Sequence, residues 1–541
     1  MPAQGRQELG DAVDDASGAF RYDVTLQPAE DFELTLAVPF HGDRQGLVAN
    51  IDPKKARDVV LRRLSETIGF WEGVLNRVRI HLPAARDLEN TVKSNLAYIL
   101  INRDGPAIQP GSRSYERSWI RDGSLTSAAL LRFGQRDEVR EFIEWYSKHQ
   151  YPSGKVPCVV DFRGADPVPE NDSHGELIFA IMQYFLFTKD TVWLNVQFPH
   201  VLKAVRYIQS LRAERKTDIY KSGDSLQRAC YGLVPESISH EGYSSKPMHS
   251  YWDDFFVLRG LKDAASIAGI LGKEDLLREF SAERDDMLMC LYTSMRRTMQ
   301  RTGIDYIPGC AELGDFDATS TSIGVNPGDE LGNIPEPALH ATFDRYYEFF
   351  SDRAIGRVGW NAYTPYEVRI VGTYVFLGQK RRALELLNFF MRDRRPLAWN
   401  HWAEVVWHDA MKPAFIGDMP HTWVGSDFLR SVRSMFVYER TNDTSLVLGA
   451  GIPEEWIQNP AGVSVAGFPT YYGSVSLRLR GMSRTVEGEV SGSLQIPPGK
   501  VHLISPYDRP LRFARVNGLP GMVRGNEIII EQLPASIQLQ Y

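Results

Sequence analysis

Three short segments in the middle of the chain place carboxylates beside tryptophans. They are residues 114–123 (SYERSWIRDG), 249–254 (HSYWDD) and 399–404 (WNHWAE). Aromatic faces stack on the C–H surfaces of sugar rings, whereas carboxylates and Arg exchange hydrogen bonds with hydroxyls. Two opposed carboxyl groups can cleave an acetal by general acid and general base catalysis. The residue types in these segments therefore favour carbohydrate chemistry.

The first segment opens an apolar helical pattern with Trp119, Arg121 and Asp122. One interpretation is structural, with Asp122 in a first helical turn and Arg121 in a surface salt bridge. The other is an Arg–Asp pair that binds the hydroxyls of the sugar whose bond is cut. A second polar helix start, Asn171 and Asp172 after a Pro-rich loop, favours the functional interpretation.

The second segment, Trp252-Asp253-Asp254, begins a predicted helix that ends at about residue 272. We expect one aspartate to face the interior of the fold and the other to cap the helix. A general acid must hold a proton at rest, and an indole neighbour together with an adjacent carboxylate would raise the pKa of the inward-facing aspartate. The alternative is that both aspartates lie on a solvated helix face.

The third segment is unusually aromatic, with three tryptophans in the nine residues 399–407. Such clusters form either a core or a platform for sugars. The polar residues between Trp399 and Trp402, and the carboxylate of Glu404, favour the platform, while core packing is the alternative.

A loop between the two halves of the helical region, residues 232–243, carries Glu236 and His240 and leads directly to Asp253. We expect this loop to contact substrate, with Glu236 as an alternative general acid, as is Asp254. A surface loop without a function is the competing interpretation.

Helical periodicity dominates from residue 53 to about 440, which predicts a mainly α protein. Paired helices in this number indicate an α/α toroid of six inner and six outer helices. The predicted helices span about 53–78, 84–103, 118–134, 136–149, 173–187, 191–213, 251–271, 273–296, 336–351, 363–377, 379–393 and 420–439.

Alternating patterns at both ends of the chain predict strands. Residues 20–26 and 32–38 indicate two strands in an N-terminal β segment, 1–52. Residues 441–541 are predicted to form a small antiparallel β-sandwich, with strands at 463–465, 475–479, 487–490, 527–530 and 537–540. The catalytic (α/α)6 toroid is thus assigned to residues 53–440, with a leading linker helix.

Composition excludes several other classes. The net charge of −7 without a basic block argues against nucleic acid as a partner. No run of about 18 apolar residues occurs, so no membrane span is predicted. The N-terminus lacks the apolar core of a secretory signal. The four cysteines show no zinc-type spacing, so we expect buried free thiols, a cytoplasmic location, no metal and no cofactor.

The order of these motifs resembles that of glucoamylases (glycoside hydrolase family 15) and their bacterial relatives, which are six-hairpin glycosidases. Trp119-Ile120-Arg121-Asp122 is similar to the family's W-x-R-D segment, which binds the terminal glucose, and Asn171-Asp172 is similar to its N-D motif. Trp252-Asp253-Asp254 looks like the family's W-E-E, whose first Glu is the general acid. The resemblance covers about residues 84–439, and Asp317-Ala318-Thr319-Ser320 also resembles a segment of the bacterial members.

The resemblance implies an inverting glycoside hydrolase without a cofactor. Asp253 would be the general acid and Glu404 the general base, and the substrate would be an oligosaccharide or glycan chain end, with an α-glucoside as the leading candidate. Asp253 departs from the family's Glu, but trehalase-like six-hairpin glycosidases use an Asp acid, so the departure leaves the implied mechanism intact. Trp119, Trp252, Trp399 and Trp402 are expected to line the sugar pocket.

The alternatives are an inverting phosphorylase, a polysaccharide lyase on the same toroid, and a glycan-binding protein without catalysis.

Overall fold

The computed structural model describes residues 21–36 and 52–541. The chain divides into two compact units, one that ends at Glu72 and one that spans Gly73–Tyr541. The predicted boundary at residue 440 lies within the second unit, where the chain changes from helices to strands.

Sixteen α-helices occur in the described residues, and all twelve predicted helices are confirmed. The helices are α1 (Ala56–Leu75), α2 (Arg86–Ile101), α3 (Ile120–Arg132), α4 (Arg136–Ser147), α5 (Ser173–Thr188), α6 (Thr191–Arg215), α7 (Asp218–Ser222), α8 (Ser225–Ala229), α9 (Tyr251–Ile270), α10 (Glu274–Thr302), α11 (Ala318–Val325), α12 (Ala338–Ala354), α13 (Arg369–Phe376), α14 (Lys380–Arg392), α15 (Thr422–Phe436) and α16 (Glu454–Ile457).

Six of these helices, which we call the ring helices, contact one another in sequence. Helix α3 packs against α5, α5 against α9, α9 against α11, α11 against α13, and α13 against α15, which returns to α3. Other helices pack outside them: α4 on α3, α6 on α5, α10 on α9, α14 on α13 and α2 on α15. The ring helices are buried almost throughout, as in α5, because they are covered on both sides. Helix α14 is instead amphipathic, with one apolar stripe facing inward.

Helix α11 is a ring helix that the sequence did not predict as a helix. Its residues, ATSTSIGV, are mostly small, hydroxylated or β-branched, and these residue types have weak helix propensity. Asp317 caps it, because its carboxylate accepts the backbone N–H of Ser320 at 2.9 Å. Packing between α9 and α13 supplies the stabilisation that local propensity does not.

Strands dominate the C-terminal region, and the five strands predicted there are confirmed. The strands of the whole chain are β1 (Arg79–His81), β2 (Ser118–Trp119), β3 (Val159–Asp161), β4 (Gly164–Ala165), β5 (Ala362–Tyr363), β6 (Val406–Trp407), β7 (Val437–Arg440), β8 (Ser445–Leu448), β9 (Val463–Thr470), β10 (Gly473–Met482), β11 (Thr485–Ser491), β12 (Val501–Ile504), β13 (Phe513–Val516), β14 (Leu519–Pro520), β15 (Met522–Arg524), β16 (Glu527–Ile530) and β17 (Ala535–Gln540).

Two large sheets form in this region, one of seven strands (β1-β9-β10-β11-β17-β13-β14) and one of five (β15-β16-β12-β8-β7). Two details differ from the predicted antiparallel sandwich. Strands β8 and β12 pair in parallel. Strand β1 precedes all the ring helices, yet it pairs with β9 and forms one edge of the seven-stranded sheet. The C-terminal sequence alone therefore does not contain all the strands of this sheet.

The N-terminal prediction of strands is wrong for the part that the structure describes. Residues 21–36 contain no strand, and the apolar side chains of Tyr22, Leu26 and Phe32 are exposed. Alternation alone does not form a strand, because an isolated strand pair has too few partners for its backbone and its apolar face. Residue 20 and residues 37–38 of the predicted strands lie outside the described residues. Within the described ranges, none of the helices is both long and apolar enough for a membrane span.

Candidate active site

A cavity of about 260 Å³ lies at the N-terminal ends of the ring helices. First-turn residues of four ring helices line it: Arg121 and Asp122 of α3, Thr319 of α11, Arg369 of α13 and Trp423 of α15. The unpaired N–H groups and positive dipole ends of helix N-termini favour anionic groups here. The other lining residues lie on connecting segments: Pro110, Tyr115, Trp119, His240, Glu241, Gly242, Thr364, Tyr366, Glu404 and His421.

Glu404 is a half-buried carboxylate in this cavity, and two phenols hold it. Its carboxylate accepts hydrogen bonds from the hydroxyls of Tyr115 and, at 3.2 Å, of Tyr366. Burial raises the pKa of Glu404, and the two phenol hydrogen bonds partly oppose that rise. The side chain is thus poised to exchange a proton closer to neutrality than an exposed Glu.

Asp418 fixes the loop that carries Tyr115. Its buried carboxylate accepts the backbone N–H groups of Arg113, Ser114 and Tyr115 at 2.8, 3.0 and 3.0 Å. Although burial would raise the pKa of Asp418, these three hydrogen bonds hold it below its ordinary value. The anchored loop presents the Tyr115 hydroxyl to Glu404, so the position of Glu404 depends on two separate segments of the chain.

Arg121 and Asp122 form a buried pair, with Arg121 Nε 3.6 Å from Asp122 Oδ2. Neither of these two atoms has a hydrogen-bond partner among the described residues. Burial raises the pKa of Asp122 to about 7, while the neighbouring Arg121 acts to lower it. Buried polar atoms without partners are costly, and hydroxyl groups of a ligand would satisfy them. Glu170 also pairs with Arg121 and fixes the guanidinium in place.

Aromatic rings surround these polar groups. Trp423 lies 4.2 Å from Tyr366 between ring centroids, and the Arg121 guanidinium lies 5.0 Å from the Trp423 ring. On the other side, Tyr115 meets Trp119 edge to face at 5.9 Å. The indole Nε1 of Trp423 has no hydrogen-bond partner among the described residues. The cavity therefore combines apolar faces with unsatisfied donors, which is the combination that sugar rings require.

His421 is a neutral imidazole beside Glu404. Burial lowers the pKa of His421 to about 3, so the ring carries no charge at neutral pH. Its Nε2 lies 3.4 Å from the Tyr366 hydroxyl.

Asp253, the predicted general acid, lies one layer behind the cavity and does not line it. Its two carboxyl oxygens each lie 2.6 Å from a serine hydroxyl, of Ser237 and of Ser239. Burial, with a contribution from the charge of Asp172, raises the pKa of Asp253 to about 8. The group therefore holds a proton at neutral pH. The loop 232–243 separates it from the cavity, and His240 of that loop stacks on Trp252 at 4.4 Å.

Four residues expected to contact substrate hold this loop and its helix instead. Trp252 donates its indole N–H to Asp172 at 2.8 Å. Asn171 donates to the carbonyl of Pro235 at 2.8 Å, and Asp254 accepts the N–H of Val234 at 3.1 Å. These residues are buried and do not line the cavity. Each of them makes a hydrogen bond within the protein instead.

Three further expectations require correction. Trp402 is a core residue, 1% exposed, whose indole donates to the carbonyl of Phe390. Trp399 is 57% exposed and does not line the cavity. Glu236 pairs with Arg215, and this interaction keeps the pKa of Glu236 low against the effect of burial, so it is a poor proton donor.

The structure thus brings Trp119, Arg121, Asp122, His240 and Glu404 together around one cavity. Sequence reasoning did not select the other lining residues, among them Tyr115, Glu241, Tyr366, Arg369, His421 and Trp423. For two of them the sequence offered a signal, namely a place near the start of a predicted helix. Arg369 is the first residue of α13, and His421 is the N-cap residue of α15. The pairing of Tyr115 with Glu404 joins residues 289 positions apart and has no local signature.

One cluster, Cys230, His249 and Glu312, has the residue types of a metal site, with ligand atoms within 4.8 Å of one another. Both imidazole nitrogens of His249 are already engaged. Nδ1 lies 2.6 Å from Glu312, and Nε2 accepts from Arg215 at 3.0 Å. Burial also raises the pKa of the Cys230 thiol, which disfavours the thiolate that binds metals. The cluster fits a hydrogen-bonded network better than a metal ligand set.

Comparisons with known proteins give a fold but no sequence family. No family model matches the chain, and no curated protein matches it. Three solved α-L-rhamnosidases are similar in structure. The enzyme from Dictyoglumus thermophilum has a TM-score of 0.58 at 14% identity, over 86% of this chain and 50% of that one.

The second, the enzyme from Streptomyces avermitilis in complex with L-rhamnose, has a TM-score of 0.52 at 14% identity, over 86% of this chain and 41% of that one. The third, from Aspergillus terreus, has a TM-score of 0.53 at 12% identity, over 85% and 50%. The chain spans about half or less of each. These structures belong to the six-hairpin glycosidase superfamily, and none is a glucoamylase. The chain therefore shares the mainly helical fold, with a sheet-rich C-terminal region, of these glycoside hydrolases.

Proposed function

We propose that this protein is an inverting glycoside hydrolase that acts on the end of an oligosaccharide or glycan. The observation that carries the proposal is the half-buried Glu404, held by two phenols in the same cavity as the unsatisfied Arg121–Asp122 pair. The fold shared with solved α-L-rhamnosidases supports it.

The proposal includes an (α/α)6 toroid as the catalytic domain. Its support is the closed series of contacts among the six ring helices and the partner helices packed outside them. We assign the toroid to residues 53–440 and an accessory β domain to 441–541, with β1 and β7 contributed from the helical region. The four unpaired cysteines agree with the proposed cytoplasmic location.

Substrate binding follows from the size and polarity of the cavity. Its volume of about 260 Å³ is small beside the range of roughly 300–1,000 Å³ typical of ligand pockets, which suits about one sugar ring. Arg121 and Asp122 would bind its hydroxyls, while Trp119 and Trp423 would contact its apolar faces. A pocket for one ring implies removal of a terminal sugar.

Glu404 is proposed as the general base. It would take a proton from the water that attacks the anomeric carbon, while a second carboxyl group protonates the leaving oxygen from the opposite side. Inversion requires roughly 6.5–9.5 Å between the two groups.

Asp253 is the proposed acid, because its raised pKa keeps it protonated at neutral pH. Since Ser237 and Ser239 hold it behind the cavity, substrate binding must shift the loop 232–243 to expose it. Glu241 of the same loop is the alternative acid, because it already lines the cavity.

Leaving-group dependence separates the two candidates. An acid variant should lose most of its activity on a substrate with a poor leaving group and much less on a dinitrophenyl glycoside, which needs no protonation. We expect this pattern in Asp253→Asn, and Glu241→Gln should behave like the wild type. The reverse result would make Glu241 the acid.

Two classes of glycoside are the candidate substrates. Resemblance to glucoamylases favours an α-glucoside, and the structural relatives named as α-L-rhamnosidases make α-L-rhamnosides the second choice.

Hydrolysis of a panel of both classes tests the function. Glu404→Gln should lower kcat by about 10²–10⁴-fold on any substrate found. The matched control is Glu141→Gln, since Glu141 is an exposed partner of Arg103. Failure to cleave any glycoside would contradict the proposal.

A polysaccharide lyase is the second candidate. The neutral His421 beside the Tyr366 hydroxyl provides the Tyr and His that such chemistry uses. A product with ultraviolet absorption from a new double bond would identify a lyase, whereas hydrolysis gives no such absorption.

A further inference from the structure

A second cavity, of about 440 Å³, lies at the other end of the ring helices, where the helical region meets the C-terminal sheets. We call it the rear cavity. Its lining includes Arg132 in the last turn of α3, Gln183 of α5, Asn326 just after α11, and Tyr471 next to β9. The candidate active site lies at the N-terminal ends of the same helices, so the two cavities share no lining residue.

Positive charge dominates the lining of the rear cavity. Six cationic side chains and four carboxylates line it. Three of the cations have a carboxylate of the cavity as a direct partner: Arg433 with Glu439, Arg440 with Glu527, and Lys380 with Asp508. The fourth carboxylate, Asp329, accepts a hydrogen bond from Thr441. The remaining cations are Arg132, Arg259 and Arg430, from three different ring helices.

These three guanidinium groups are neutralised to different extents. Arg259 is the best compensated, because it pairs with Asp263 at 2.8 Å and also interacts with Asp329, and these charges hold its pKa above the ordinary value despite burial. Arg430, which is buried, lies 3.4 Å from Asp427, a carboxylate that also binds Arg369 at 2.7 Å.

Arg132 forms no salt bridge within the described part of the chain. It donates to two neutral oxygens, the carbonyl of Ala128 at 2.8 Å and Gln183 Oε1 at 3.2 Å. Glu439 interacts with it electrostatically, but that carboxylate pairs directly with Arg433, so the charge of Arg132 is only partly compensated.

The shortage of negative charge has a physical cost. Burial lowers the pKa of Arg430 to about 10, and the charges of Arg132 and Arg369 act in the same direction despite Asp427. A buried cation needs a partner, and an anion between Arg132 and Arg430 would provide one. One planar guanidinium group can bind two oxygens of a phosphate at once, in a fixed geometry.

We propose that the rear cavity binds phosphate or a phosphate monoester through Arg132, Arg259 and Arg430. Gln183 would position Arg132, since its Oε1 also accepts the Tyr471 hydroxyl at 3.0 Å and so links α5 to the sheet region. A volume of about 440 Å³ admits a group larger than inorganic phosphate. The bound anion would join the ring helices to the sheets, and it takes no part in glycoside cleavage.

The test is thermal unfolding and titration calorimetry of the full chain with sodium phosphate, compared with sodium chloride at the same ionic strength. We expect a saturable rise in Tm and a measurable Kd with phosphate and neither with chloride. Glucose 6-phosphate in a parallel titration distinguishes the two forms of ligand. Binding tighter than that of inorganic phosphate, and weakened by Arg132→Gln, would identify a monoester as the preferred ligand of the rear cavity. Identical responses to phosphate and chloride would overturn the proposal.

Variants locate the site. Arg132→Gln should weaken phosphate binding at least tenfold, whereas Arg278→Gln, at an exposed arginine paired with Asp275, should leave it unchanged. Unchanged binding in Arg132→Gln would place the anion elsewhere and overturn the proposal. If Arg132→Gln does not fold, Arg132→Lys keeps the charge without the planar fork. It should then bind phosphate more weakly than the wild type, and equal binding would count against the site.

Discussion

At the scale of single residues, the candidate active site depends on how three carboxyl groups are held. Burial raises the pKa of Glu404, Asp122 and Asp253, and hydrogen bonds from two phenols oppose that rise at Glu404. Raised carboxyl pKa values are typical of acid–base sites. The proposed roles of base, sugar ligand and acid rest on these pKa shifts together with the partners and position of each group.

The Tyr115 hydroxyl should control the acidic limb of the pH profile. Its hydrogen bond to Glu404 opposes the effect of burial and lowers the pKa of that carboxyl group. In Tyr115→Phe we expect the acidic limb of kcat/KM to move to higher pH by about one unit, which is the worth of a hydrogen bond to a charged group. Tyr98→Phe is the control, because Tyr98 donates to the carbonyl of Trp399. An unmoved limb would mean that Glu404 does not set it.

Asp253 should make the folded protein less stable as pH rises. The unfolded chain releases this proton near pH 4, whereas in the folded state burial raises the pKa of Asp253 to about 8. Between those values the folded state binds more protons, so the free energy of unfolding falls as pH increases.

Chemical denaturation at pH 5 and pH 8.5 measures this fall. Asp253→Asn carries no charge at either pH and should lose less stability over the interval than the wild type. An equal loss in both proteins would show that Asp253 titrates normally.

At the scale of elements, the ring depends on close contact between α5 and α9. Gly175 and Gly260 lie where the two helices cross, and a Cβ built on Gly260 would lie 2.6 Å from the Cα of Gly175. Only glycine permits the two backbones to approach this closely, and larger residues would push the helices apart.

Gly260→Ala should therefore destabilise the protein by about 1–3 kcal/mol, the usual cost of an overpacked core. The matched control is Gly269→Ala on the same helix, where the nearest atom to an added Cβ is 3.6 Å away. That change should be neutral or stabilise by up to about 1 kcal/mol, because alanine favours helices. Denaturant unfolding of both variants provides the comparison, and equal stabilities would refute the crossing argument.

Sequence patterns located the elements well and their contacts less well. Apolar runs bounded by turn residues located twelve helices, including ring helices such as α5 that are apolar on almost all sides. This pattern missed α11, whose polar residues fold as a helix only inside the ring. The same limit affects tryptophans. Trp119 lines the cavity and Trp402 belongs to the core, although both lie beside carboxylates in the chain.

At the scale of the whole molecule, the helical and sheet regions form one compact unit, Gly73–Tyr541. Strand β1 precedes the ring helices and pairs with β9, which follows them. Tyr115 and Glu404 likewise meet from opposite ends of the helical region. Contacts of this kind are invisible to local patterns, which is why the sequence predicted Glu404 as a candidate without its phenol partners.

The two cavities lie at opposite ends of the ring helices. Helix dipoles favour cations at C-termini, which suits Arg132 and Arg433 in the last turns of α3 and α15. At the N-terminal ends, Arg121 and Arg369 depend instead on their carboxylate partners, Glu170 and Asp427. One arrangement of helices thus produces two chemically different sites.

The most direct test of the proposed hydrolase is proton NMR of the first sugar released from a cleaved glycoside. Single displacement with Glu404 as base predicts that the first anomer to appear has the opposite configuration to the substrate, and that Glu404→Gln releases almost none in the same time. A first product of unchanged configuration, or wild-type release by Glu404→Gln, would contradict the account.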